Sequence, residues 1–403
     1  MSLPVHRWFR YSAGFSAAWA ESVIAQDVSR SAARVLDPFA GSATTLLAAE
    51  NVGVPSFGVE SHPFVARIAR AKLCRRSDPA TFRRFAKAIL ADASDRTRTD
   101  VDEYPPLIRK CFRDEVLADL DRLRRAWEGA SDGSPDSELT WLALVAILRP
   151  CSHVGTAQWQ YVLPKKSKKT SLQPFDAFEQ MIATMHRDML LSQRVNGRPS
   201  ATLVQSDARS CGGVPEEFAT LVITSPPYPN NYDYADATRL EMTFMREIDG
   251  WGDLQNAVRQ HLIRSCSQHV PEKAADLEET LAAPELVPIR DDLAAICRTL
   301  SEVRQSKGGK KTYHLMVACY FLDMARVWRA LRPVCASPCR ACFVIGDSAP
   351  YAVYVPVHQW LSKLATAAGF GDCSFTKLRD RNVKWKNRKH RVPLCEGELW
   401  CRG

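Results

Sequence analysis

The 403-residue chain has no apolar run long enough to cross a bilayer as a helix, so no membrane span is expected. Its opening residues lack the basic-then-apolar order of a secretory leader, and a cytoplasmic location, beside the prokaryotic nucleoid, is the expectation. It lacks a phosphate-cradling Walker loop and the paired histidines of a metalloprotease helix, which removes two large enzyme classes. No internal repeat is visible. The thirteen cysteines are odd in number and scattered, which suits free thiols in a reducing compartment better than a disulfide framework. The one tight cluster, Cys335-Cys339-Cys342, has no fourth ligand at a standard spacing. Reduced thiols in a turn are expected there, and no metal site.

What is present is a globular composition, 46% hydrophobic, with a net charge of +9 and a pI near 8.9. That balance accommodates a polyanionic partner without requiring one. Short β-prone runs alternate with helical periodicity at 34–37, 42–51, 55–60 and 63–73. The alternation then stops. Residues 75–200 read as mainly helical, over Phe82–Leu90, Pro106–Glu128, Leu139–Leu148 and Asp176–Ser192. Strands resume at 202–206 and 219–224, and a helical, loop-rich segment covers about 235–332. Strand Ala341–Gly346, helix Val357–Ala368, strand Cys373–Leu378 and a strand near Leu399 complete the chain. This pattern predicts an α/β fold with a doubly wound sheet. Residues 1–74 and 201–403 form its two halves, and 75–200 is a helical insertion.

Chemistry concentrates at two strand ends. Leu221-Val222-Ile223 runs into Thr224-Ser225-Pro226-Pro227-Tyr228. Two prolines fix φ and cannot donate to a ladder, so the strand stops there with its carbonyls outward. The turn holds a hydroxyl, a carbonyl and an aromatic face at fixed spacing, the set that grips a flat base bearing an exocyclic amine. An ordinary proline turn over a buried tyrosine is the plain alternative. Upstream, Arg34-Val35-Leu36-Asp37-Pro38-Phe39-Ala40-Gly41-Ser42-Ala43-Thr44-Thr45 reads as strand, tight loop and helix, with Gly41 allowing close backbone approach. The run Ser56–Glu60 ends in an acid where nucleotide-binding sheets bond ribose hydroxyls. Leu203-Val204-Gln205-Ser206-Asp207-Ala208 ends in another, which as easily caps a helix. Aromatic residues Trp8, Phe9, Tyr11 and Phe15 precede a helix of the Ala17–Ala25 type.

These segments resemble, in order, motifs X, I, II, III and IV of the S-adenosylmethionine-dependent DNA amino-methyltransferases. Motif I is D-P-F-x-G-S-G-T-T and motif IV is (D/N/S)-P-P-(Y/F/W). The serine form of motif IV is most typical of the N4-cytosine branch. The resemblance implies a Rossmann-like class I methyltransferase sheet of seven strands, the last antiparallel. It implies S-adenosylmethionine held by Tyr11, Phe15, Asp37, Pro38, Phe39, Ala40, Gly41, Ser42, Thr44, Glu60, Ser61, Asp207 and Ala208. It makes the Ser225 side chain and the Pro226 carbonyl the acceptors for the amine, on a turn stiffened by Pro227. Tyr228 then stacks on the flipped base. Ala43 departs from the family, which usually has glycine there; the loop is stiffened and its hold on the cofactor weakened.

The implied partner is double-stranded DNA, with a cognate restriction endonuclease or another defence component beside it. Lys165, Lys166, Lys168 and Lys169 in a basic linker preceded by Trp159 and Tyr161 are candidate phosphate contacts, or else a solvated loop. Lys307-Gly308-Gly309-Lys310-Lys311 and a tail with Lys384, Lys386 and Arg388 are further basic segments. Asn230, Asn231 and Tyr232 either line the pocket or hold the loop. Adenine N6 as target, an RNA base, and a catalytically silent DNA-binding scaffold stay open beside cytosine N4. A cysteine-nucleophile C5 methyltransferase needs Pro-Cys where Ser225-Pro226 stands. Pro150-Cys151 ends a helical run and reads as structural.

Overall fold

The computed structural model describes residues 3–11, 15–28, 33–98, 100–157, 161–270, 275–308, 311–381 and 392–403. Its strands are β1 (Val35–Asp37), β2 (Ser56–Glu60), β3 (Val154–Thr156), β4 (Val162–Ser167), β5 (Thr202–Gln205), β6 (Ala219–Thr224), β7 (Cys335–Gly346), β8 (Gly371–Arg381) and β9 (Leu394–Arg402). Seven of them make one sheet, in the order β5-β2-β1-β6-β7-β9-β8, and β3 pairs with β4 in a separate hairpin. β5, β2, β1, β6 and β7 run parallel, while β9 lies antiparallel between β7 and β8. From β1 the order runs outward in both directions, so a crevice opens at the carboxyl ends of β1 and β6.

Successive residues of a strand face opposite sides, and the core divides accordingly. Val35, Leu221 and Ile223 pack on Ala20, Ile24, Ala48 and Ala49, from helices Ala17–Val28 and Thr44–Val52. Leu36, Val222 and Phe343 turn the other way, toward helices Arg290–Ser306, Tyr313–Val334 and Val357–Ala367. Each fully buried Leu or Val contributes about 1.5–3 kcal/mol relative to exposure. Helices Pro79–Asp95, Asp114–Ala130, Pro135–Cys151 and Pro174–Ser192 pack on one another and share a core with Leu46, Phe64 and Ile68.

The segment at 3–11 is tied to that helical layer. Asp188, fully buried, accepts from the Val5 amide at 3.0 Å, the Trp8 indole at 2.8 Å and the Arg7 guanidinium. Buried Lys72 donates to the Phe9 carbonyl at 3.2 Å, and burial lowers its pKa to about 7.

Four expectations are corrected. The helix read as Pro106–Glu128 is two, Pro106–Cys111 and Asp114–Ala130, because Phe112 and Arg113 are extended between them. The basic linker is not a plain loop: Pro164 to Ser167 belong to β4, which pairs with β3 across Thr156↔Val162, Gly155↔Leu163 and Val154↔Ser167, with a register shift over Pro164 to Lys166. Cys335, Cys339 and Cys342 lie in β7, not a turn, where the register against β6 shifts between Ala219 and Leu221. Cys373 and Cys401, facing residues of neighbouring strands, form a disulfide where free thiols were expected.

Candidate active site

Four strands deliver the site's polar groups to the carboxyl edge of the sheet. At the tip of β1, buried Asp37 accepts from the Thr224 hydroxyl at 2.6 Å, the Phe39 amide at 3.0 Å and the Thr45 hydroxyl at 2.5 Å. Thr224 ends β6 and precedes Ser225, so the loop after β1 and the turn after β6 are fastened side by side. Burial raises the Asp37 carboxyl to about 6, against the lowering effect of these bonds.

The loop from Pro38 to Ala43 turns through two left-handed residues, Gly41 at φ 52° and Ala43 at φ 71°. Helix Thr44–Val52 begins directly after the second. Glu60, at the tip of β2, accepts from the Gly41 amide and from the His62 amide, both at 2.8 Å. Burial pushes its carboxyl up to about 7. The Tyr11 ring lies beside Gly41, about where a Cβ there would meet it at 3.6 Å. Phe39, Gly41, Ser42, Thr44 and Ser61 are partly open, while Pro38, Ala40 and Ala208 are buried beneath them. Phe15 packs edge-on to Trp19 at 5.2 Å, against the core that holds Ile223. The Ser206 amide donates to the Glu60 carbonyl at 3.2 Å, which sets Asp207 at the neighbouring strand tip. Asp207 is paired with Arg209 at 2.5 Å, and Arg209 also reaches Asp323.

In the turn after β6, the Ser225 hydroxyl donates to the Val344 carbonyl at 3.1 Å, and the Tyr228 hydroxyl donates to the same oxygen at 3.3 Å. With its proton so engaged, the Ser225 oxygen offers its lone pairs as acceptors. Pro226 is buried; Pro227 and Tyr228 are partly open. The Arg381 guanidinium sits 5.1 Å from the Tyr228 ring centre and donates to the Asp347 carbonyl at 2.7 Å. Burial raises the Tyr228 phenol to about 12.

The residues that follow mostly hold the loop. Asn231, at φ 63°, accepts from the Ser267 amide at 2.9 Å and hydroxyl at 2.6 Å. Asn230 is exposed and accepts from the Tyr232 amide at 3.2 Å. Asp233 is the node: its carboxylate takes two bonds from Arg259, at 2.8 and 3.1 Å, and one from His269 at 3.2 Å. Burial alone would raise its pKa, but the His269 and Arg259 bonds outweigh that and hold it near 2. Ligand atoms of Asp233, Cys266 and His269 fall within 4.8 Å of one another, yet it is the Arg259 guanidinium that neutralises the carboxylate. Tyr232 lies between Tyr161, 5.3 Å away, and Tyr234, edge-on at 4.6 Å.

Of the basic candidates, Lys165, Lys166 and Lys169 are exposed. Lys168 is half-buried, its ammonium donating to the Arg149 carbonyl at 2.5 Å. Trp159, Gly309, Lys310, Lys384, Lys386 and Arg388 lie outside the described residues. Cys151 is buried at the end of its helix, with burial pushing the thiol to about 12, as a structural role requires. Sequence reasoning missed Arg259, His269 and Arg381, which carry no local signal. Thr45 and Thr224 are visible, as the last residue of the motif I run and the last before the proline turn, but the sequence alone assigns them no role.

Two of the relatives this chain resembles are the Type II methyltransferases M.AvaI of Nostoc sp. and of Anabaena variabilis. Each is 26% identical over 403 residues, spanning 92% of this chain and 80% of the relative. The Type II methyltransferase M.BsoBI of Geobacillus stearothermophilus is 23% identical over 428 residues, spanning 94% of this chain and 81% of the relative. No family model matches the chain. No solved structure matches it either. Over nearly its whole length, and with a mostly parallel seven-stranded sheet that suits a Rossmann-like methyltransferase, the chain is similar to Type II methyltransferases.

Proposed function

We propose that the chain is a site-specific DNA methyltransferase that moves a methyl group from S-adenosylmethionine to the N4 amine of a flipped-out cytosine. The observation that carries this reading is the Asp37–Thr224 bond, because it joins the loop around Gly41 to the turn around Ser225. A direct displacement needs donor and amine held face to face, and little else from the protein.

S-adenosylmethionine, when bound, supplies an activated methyl group on a sulfonium leaving group. The residues present fit such a group. Two acids stand at adjoining strand tips, Glu60 toward hydroxyl donors and Asp207 toward an amine donor, beside a loop opened by left-handed Gly41 and faced by Tyr11. For Asp207 that role requires sharing its carboxylate with Arg209. Thr44 stands in the first turn of its helix, where free N–H groups favour a carboxylate.

The amine's lone pair is delocalised into the base ring. The Ser225 oxygen, its own proton committed to Val344, accepts one amine N–H; the Pro226 carbonyl accepts the other. That grip draws the nitrogen toward tetrahedral geometry and frees the lone pair for attack. Tyr228 supplies the stacking face for a base whose extrusion costs a few kcal/mol. The serine in first place of the turn favours cytosine; adenine N6 is the second reading, since the same grip serves either amine. A cognate endonuclease acting on the same duplex sequence is the expected companion. Among the described residues no helix is long and apolar enough to cross a membrane, in keeping with a DNA substrate in the cytoplasm.

Duplex DNA treated with the protein and labelled S-adenosylmethionine, then digested to nucleosides, tests the reading. N4-methylcytosine is expected. N6-methyladenine would move the target to adenine, and label only in tRNA or rRNA would move it to RNA. Absence of cofactor binding at millimolar concentration would leave a silent scaffold. Ser225→Ala and Tyr228→Ala should each abolish transfer while cofactor binding persists; full activity in both would refute the site.

A further inference from the structure

Two segments distant in sequence meet at the loop after the proline turn, and they fasten it unequally. The segment from Arg259 to His269 holds the Asp233 carboxylate through three buried charge-assisted bonds, and it holds Asn231 through Ser267. Such bonds are roughly twice as strong as neutral ones and leave a buried charge if broken. The 75–200 insertion contributes a different kind of contact. The Tyr161 phenol lies between the Asp233 amide, at 2.7 Å, and the Asp233 carbonyl, to which it donates at 3.2 Å. Its ring rests on Tyr232, which in turn meets Tyr234 edge-on. One neutral side chain thus bonds both faces of a single peptide position in the loop.

Tyr161 stands at the head of β4, in a hairpin of two short strands. Hairpins of this size are marginal alone and take their position from what they touch. This one is rooted by the His153 amide on the Cys111 carbonyl, the Lys168 amide on the His153 carbonyl and the Lys168 ammonium on Arg149. Beyond the root, β4 turns Pro164, Lys165, Lys166 and Ser167 to solvent. A two-stranded ribbon is of a size that the DNA major groove admits.

We propose that the β3–β4 hairpin is an arm that engages the DNA duplex through Lys165 and Lys166, and that Tyr161 is the positioning residue through which it sets the catalytic loop. The proposal rests on the DNA reading above and deepens it. The buried ion pairs give the loop its fixed side, and the phenol gives it an adjustable one. Engagement of the arm presses Tyr161 onto Asp233, which orders Asn230 to Tyr234 and, through the bond of the Tyr234 side chain to the Tyr228 backbone, the turn that carries Tyr228. Catalysis is then coupled to the presence of a duplex and not merely of a base.

The test uses the full-length chain and a duplex oligonucleotide carrying a fluorescent base analogue at the target. Tyr161→Phe keeps the ring on Tyr232 and removes the hydroxyl. It should lower turnover at saturating DNA by about tenfold or more, with affinity for S-adenosylmethionine unchanged and the fluorescence of the extruded base reduced. Lys165→Ala with Lys166→Ala should weaken DNA binding and reduce the slope of log K against log salt by about 2. Wild-type turnover in Tyr161→Phe, or a wild-type salt slope in the lysine variant, would overturn the proposal. A merely structural Tyr161 would lower the melting temperature and both affinities together, leaving the turnover of the folded fraction intact, which also overturns it. A wild-type protein that binds duplex but transfers no methyl group to it sinks the enzyme reading, while the salt slope still reports on the arm.

Discussion

The Asp37 carboxylate and the Thr224 hydroxyl, 187 residues apart in sequence, meet at 2.6 Å between the tips of two parallel strands. Replacing Thr224 by valine keeps the shape and removes the donor. Asp37 Oδ1 then keeps only the Phe39 amide in a buried place, a loss of about 1–3 kcal/mol. Chemical denaturation should show it, and single-turnover methyl transfer should slow because Ser225 is no longer indexed to the loop. Thr224→Ser, which restores the hydroxyl, should recover most of the rate.

Ala43 begins the helix of the cofactor loop in a left-handed conformation, φ 71° and ψ 28°. An L-residue with a Cβ pays about 1–2 kcal/mol there, and glycine does not. Ala43→Gly is therefore expected to raise the melting temperature and to hold or tighten cofactor affinity by calorimetry. Gly41→Ala, at φ 52°, should move both quantities the opposite way.

Glu60 gives a pH dependence of defined sign. Its folded pKa of about 7 lies above the ordinary 4.5, so the folded chain binds the proton more tightly than the unfolded one. The stability linked to it is complete below about 4.5 and is lost as pH rises through 7. Denaturation midpoints measured from pH 5 to 8 should fall across that window, and Glu60→Gln should flatten the decline. Cofactor affinity should run the other way, rising with pH as the carboxylate ionises to accept ribose hydroxyls.

Asp188 governs the segment that carries Tyr11. Asp188→Ala leaves the Val5 amide and the Trp8 indole without their buried acceptor and breaks the Arg7 pair, a cost of about 3–5 kcal/mol. Limited proteolysis should then cut ahead of Ala17, and cofactor binding should weaken because Tyr11 loses its place beside Gly41. Cofactor affinity equal to wild type in the folded variant would remove Tyr11 from the binding face.

The parts of the fold with local punctuation were legible in the sequence. β6 was read to the residue because Pro226 and Pro227 forbid its extension, and helix Pro63–Leu73 because Pro63 opens it. The β3–β4 hairpin escaped because Pro164-Lys165-Lys166-Ser167 shows no alternation; β4 pairs with β3 through Val162, Leu163 and Ser167, around a register shift that spans Pro164 to Lys166. The break at Phe112 was hidden within continuous helical periodicity. In the site, the acids and the proline turn were visible as residue types at strand ends. Their partners were not: nothing near Asp233 announces Arg259 or His269, and nothing near Tyr228 announces Arg381, because a hydrogen-bond partner is chosen by topology rather than by sequence proximity.

The antiparallel insertion of β9 between β7 and β8 has a consequence for folding. β9 follows both neighbours in sequence, so a refolding chain in which β9 has not docked displays two unpaired ladders at once, β7 on one flank and β8 on the other. Bare strand edges invite pairing with other chains. The arginines and lysine of β8, at positions 377, 379 and 381, face that hazard and repel a like-charged neighbour until β9 slides into the gap.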